Sequence, residues 1–85
     1  MNTEIRRGEE AKRMLAEPML GEAFTNVEAG LIGAMKIAAL GDQATHHELV
    51  LCLQLLGRVK RHFEEAIETG RMAQIQEAWK AKQAR

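Results

Sequence analysis

The residues of this chain that could do chemistry are few and scattered. Histidines stand at positions 46, 47 and 62, and the single cysteine is Cys52. Basic side chains gather at Arg6, Arg7, Lys12 and Arg13, and again at Arg58, Lys60 and Arg61. His46 and His47 are adjacent, which on a helix sets them about 100° apart, so one metal ion cannot be gripped by both from one face. Asp42 precedes His46 by one turn, but it falls on the non-helical side of the expected helix start, and a metal would still lack ligands. These residues therefore read as the polar first turn of a helix, with no metal site. His62 lies among cations and reads as surface rather than as a proton shuttle. Nucleophile, base and orienting group do not come together in any motif, and no glycine-rich loop links a strand to a helix, so the expectation is a non-enzyme without a cofactor. A lone cysteine excludes a disulfide framework, and Cys52 reads as a small buried hydrophobe.

The basic clusters carry carboxylates beside them, Glu9 and Glu10 in the first, Glu64 and Glu65 in the second. Twelve basic and twelve acidic residues cancel to a formal net charge of zero, whereas a protein that coats nucleic acid indiscriminately is strongly basic. As solvated faces these clusters need no function. Their functional reading comes through oligomerisation, because repetition around a ring turns weak patches into a phosphate grip. On that reading Arg6, Arg7, Lys12, Arg13, Arg58 and Arg61 are the candidate contacts to DNA or phosphate. Base stacking is a poor expectation, since Phe24, Phe63 and Trp79 are the only aromatic side chains and two of them sit on apolar seams. The N-terminal stretch MNTEIRRGEEAKR is charged where a signal peptide is apolar. The apolar stretches are interrupted by Lys36 and Gln54 and fall short of a membrane span of about 20 residues.

The elements that must position these residues are helical. Thr45–Thr69 is the expected centre, with Leu49, Cys52, Leu56, Val59 and Phe63 at three- and four-residue spacing. Thr45 with Glu48 has the form of a capping box. Val50, Leu51, Leu53 and Leu55 add apolar side chains off this seam, so the helix needs neighbours on more than one side. A second helix is expected over 18–40, starting on Pro18, with the seam Leu20, Phe24, Val27 and Leu31 and with Gly30 and Gly33 either allowing close backbone approach or merely loosening it. Gly41 is its expected left-handed terminator. Residues 1–17 read as a frayed arm or short helix, capped at Thr3, weakened by Gly8 and docked at its C-terminal end. Gly70 is expected to break the phase of the seam, with a last helix over 71–82 carrying Met72, Ile75 and Trp79 that either continues the long one with a bend or folds back. The fold class expected is all-α: a single domain built on a long antiparallel helical hairpin, with a short N-terminal helix and a C-terminal helical extension. Both hairpin helices carry more apolar surface than the ends can cover, so a homo-oligomeric bundle or ring is expected.

The segments Arg6–Phe24, RRGEEAKRMLAEPMLGEAF, and Val59–Gln74, VKRHFEEAIETGRMAQ, resemble small helical proteins encoded among the head and DNA-packaging genes of tailed bacteriophages. In those proteins a Leu-rich segment, an acidic or Asn-Pro step and a Glu-Ala-Phe run precede a hairpin, and a Glu-Thr-Gly step closes the second long helix. The middle, LIGAMKIAALGDQATHH, departs in being less aromatic and less charged. The resemblance implies a phage or prophage origin, location in the host cytoplasm or the virion, and an accessory role in virion assembly or DNA packaging. The resulting expectation is an oligomer that binds a phage or host protein, with DNA as a further partner in a small-terminase-like branch. The alternative is a small phage inhibitor that binds a host defence component or sequesters a nucleotide ligand between protomers.

Overall fold

The computed structural model describes residues 2–84, and they form three helices joined by short links, with no strand among them. Helix α1 spans Thr3–Ala16. Its cap is Asn2, not Thr3: the Asn2 side chain accepts from the amides of Glu4 at 2.7 Å and Ile5 at 3.3 Å, satisfying donors that the helix itself leaves free. Glu17 is extended (φ −66°, ψ 123°), the conformation a following proline enforces. Pro18 then opens α2, Pro18–Ile37, where its missing N–H costs nothing.

Helix α2 stops short of the expected Leu40. Ala38 turns extended (φ −64°, ψ 143°), and the turn that follows is closed by the Asp42 amide donating to the Ala39 carbonyl at 3.0 Å. Gly41 is not left-handed, since no described glycine has positive φ. Helix α3 then runs unbroken over Gln43–Gln83, 41 residues. Asp42 caps it, accepting from the Thr45 amide at 3.1 Å and from the Thr45 hydroxyl at 2.6 Å. The expected Thr45–Glu48 capping box is thus replaced by an aspartate three residues earlier. Of the two courses open to the last helix, continuation is the one taken, and α3 passes through Gly70 without interruption.

The reason lies in the packing. Among the described residues the only buried ones are Ile5, Gly8, Ala11, Gly70 and Ala73, and they form the contact between α1 and α3. A Cβ built on Gly8 would lie 2.9 Å from the Ala66 carbonyl oxygen and 3.1 Å from the Gly70 Cα. One built on Gly70 would lie 2.9 Å from the Glu4 carbonyl oxygen and 3.1 Å from the Gly8 Cα. The two backbones meet where neither has a side chain. The helix-propensity cost of a mid-helix glycine, about 1 kcal/mol, is offset there by close packing of Ile5, Ala11 and Ala73 around the junction. Hence α1 is a regular helix docked through its first three turns, whereas its later Met14 is 48% exposed.

Helix α2 has no buried residue and makes the smaller contact with α3. The molecule is a rod of 67 × 24 × 15 Å.

Candidate interaction surfaces

The long seam of α3 enters the structure rotated. Leu49, Leu56 and Phe63 are half-buried, but Cys52 and Val59 are exposed, and Leu53 takes the inward place between them. Two seams pass through Leu49, Leu56, Phe63 and Gly70; one runs by way of Cys52 and Val59, the other by way of Leu53 and Lys60. The chain uses the second, because α2 sits on that flank. Phe24, Glu28 and Ile32 of α2 share a groove with Leu53, Leu56, Gly57 and Lys60. On α2 itself Leu20, Phe24 and Leu31 are half-buried, and Val27 is exposed.

Around the helices from that groove lies an uncovered apolar face. Val27 (51% exposed) stands about 60° around α2 from Phe24, and Cys52, Leu55 (60%) and Val59 (53%) stand about 60–100° around α3 from Leu49 and Leu56, which turns them to one side of the α2–α3 contact, onto this face. Met19 and Ile37 extend it along α2, and Leu51 along α3; all three are exposed. Gly30 and Gly33 have nothing within 4 Å of a built Cβ, so the close backbone approach weighed for them occurs instead at Gly8 and Gly70. A second apolar strip, Met72, Ile75 and Trp79, occupies the far part of α3 and is also exposed. Ala73 is buried against α1, and Ile75 lies about 200° around the helix from it, so this strip points away from α1.

The basic residues divide into two groups. Arg7 lines a depression with Glu4, His62 and Glu65, and Arg58 and Arg61 line the adjoining one with His62 and Glu65. The fold therefore brings Arg7 from the first cluster to the same side as Arg58 and Arg61. Lys12 instead faces Arg71 across a depression that also holds Glu9 and Glu68, Arg13 sits beside Glu10 and Glu17, and Arg6 is exposed on α1. Carboxylates alternate with the cations in each group, which keeps the local field weak. Arg71 escaped the sequence reading because it stands alone in the chain.

His46 is half-buried, with Nε2 3.1 Å from the Ala39 carbonyl oxygen, a bond that requires the proton on Nε2. It ties the link to α3, while His47 is exposed. At Asp42 the Thr45 hydroxyl, and then the Thr45 amide, hold the carboxyl below its ordinary value of 3.8. Cys52, read from the sequence as buried, is exposed in the single chain. Among the described residues no three His, Cys, Asp or Glu side chains gather as a metal would require, and no helix is long and apolar enough to cross a membrane. Comparison with known proteins returns no match, whether by family model, by sequence or by structure.

Proposed function

We propose that this chain is a non-enzymatic, phage-type binding protein that assembles with copies of itself and holds a protein or DNA partner during virion assembly or DNA packaging. The observation that carries the reading is how little the chain buries alone. Ile5, Ala11 and Ala73 are its only buried hydrophobic side chains among the described residues, while thirteen large hydrophobic ones are exposed. Exposed apolar surface on this scale marks sites of association. The reading takes α2 and the first half of α3 as an antiparallel helical hairpin that pairs with others. The phage context rests on the resemblance of Arg6–Phe24 and Val59–Gln74. DNA enters as a weaker partner, through Arg7, Arg58 and Arg61.

The test is light scattering on a size-exclusion column, followed by fluorescence anisotropy with a labelled duplex at two salt concentrations. The expected result is a mass several times 9.5 kDa, with DNA binding that falls as salt rises and is lost in Arg7→Glu/Arg61→Glu. A monomer without affinity for DNA overturns the reading. Nucleotide retained through purification would favour the inhibitor reading instead.

A further inference from the structure

Resting on that reading, we infer that the face bounded by Val27, Cys52, Leu55 and Val59 is covered by the same face of a second copy of this chain. Area is the first argument. The chain exposes 6936 Å², whereas a monomer of 9.5 kDa exposes about 5,000 Å². The surplus of about 1,900 Å² is more than twice the roughly 800 Å² that each partner gives to a standard interface.

Charge is the second argument, and it selects the end of the rod. From Pro18 to Gly57 the charged side chains are Glu22, Glu28, Lys36, Asp42 and Glu48, out of twenty-four in the chain. The remaining nineteen crowd the residues before Pro18 and after Gly57, so that Val59, between Arg58 and Lys60, marks the charged edge of the face. A face depleted in charge, made of aliphatic side chains on two helices, has the composition of an obligate interface between copies rather than that of a surface met transiently. The Met72–Trp79 strip, by contrast, is set among Arg71, Glu77, Lys80 and Lys82 and stays free in this arrangement. Glu48 stands one turn before Cys52 and places a carboxylate at the edge of the contact, next to the 38–42 link.

Because these side chains are exposed in the single chain, replacing them does not disturb its own packing, and loss of assembly can be separated from loss of folding. The experiment compares wild type, Leu55→Glu/Val59→Glu and Ile75→Glu by light scattering and circular dichroism, with maleimide labelling of Cys52. The wild type is expected to be oligomeric with Cys52 labelled at least tenfold more slowly than in the double variant. Leu55→Glu/Val59→Glu should be a helical monomer, and Ile75→Glu should keep the wild-type mass. A wild-type monomer overturns self-assembly altogether, and with it the proposed function in its oligomeric form. An oligomer that survives Leu55→Glu/Val59→Glu, or that dissociates on Ile75→Glu, overturns this face alone.

Discussion

At Gly8 and Gly70 the smallest possible change in covalent structure has the clearest consequence. A methyl added at Gly8 meets a carbonyl oxygen and a Cα of α3, neither of which can swing aside. Gly8→Ala should therefore destabilise the chain by about 1–3 kcal/mol, as overpacking does, against a helix-propensity gain of about 1 kcal/mol. Gly57→Ala is the control, since nothing lies within 4 Å of its built Cβ, and it should stabilise by about 1 kcal/mol; urea titration of both variants measures the contrast. Asp42 gives a pH signature. Its folded-state value is depressed by Thr45, so its contribution is complete above the unfolded value and is lost as pH falls from about 3.8 through the folded one. Asp42→Asn should flatten that part of the acid limb when helicity is followed by circular dichroism. None of this contrast between glycines could be read from the chain. Gly8 looks like a weak point in a short helix because propensity is local, whereas its partner Gly70 lies far along the sequence and meets it only in space.

Helix α3 illustrates the same division one level up. Its existence follows from the spacing of Leu49, Leu56 and Phe63, and the proline at 18 marks the start of α2. What the spacing leaves open is the flank. Leu53 and Lys60 serve one seam and Cys52 and Val59 the other, and only the position of α2 decides between them. That α3 continues through Gly70 instead of folding back has a related cause, because α1 shields the backbone where a solvated glycine would loosen it. Beyond Ala73 α3 has no buried residue among those described, and local stability should follow. In the monomeric Leu55→Glu/Val59→Glu variant, hydrogen exchange is expected to be slowest from Ile67 to Ala73 and fastest from Trp79 to Gln83. Equal protection along the whole of α3 would contradict this picture of where the helix is held.

For the molecule as a whole, shape and stability are linked. The Cα radius of gyration is 18.9 Å, where a compact chain of 85 residues would have about 12 Å. A rod this thin cannot enclose a core, which is why the apolar surplus noticed along the sequence remains surplus after folding. If copies supply the missing cover, folding and association are coupled, and the thermal midpoint should rise with protein concentration. A midpoint unchanged over a hundredfold range would show the single chain to be stable alone. The sequence made a deficit of cover legible, through apolar residues on more than one side of both α2 and α3. Which end of the rod would supply that cover depends on how charge and exposure are distributed once the chain is folded.

The Gly8–Gly70 contact also has a mechanical side. With no side chain at the point of closest approach, the two helices meet as bars on a bare pin. Helix α2 is tied to α1 through Glu17–Pro18 and to α3 through the 38–42 link, and it packs along α3 between those two ties. The arm from the pin to Gln43 is about 40 Å long, and each degree of rotation at the glycines carries its tip through about 0.7 Å.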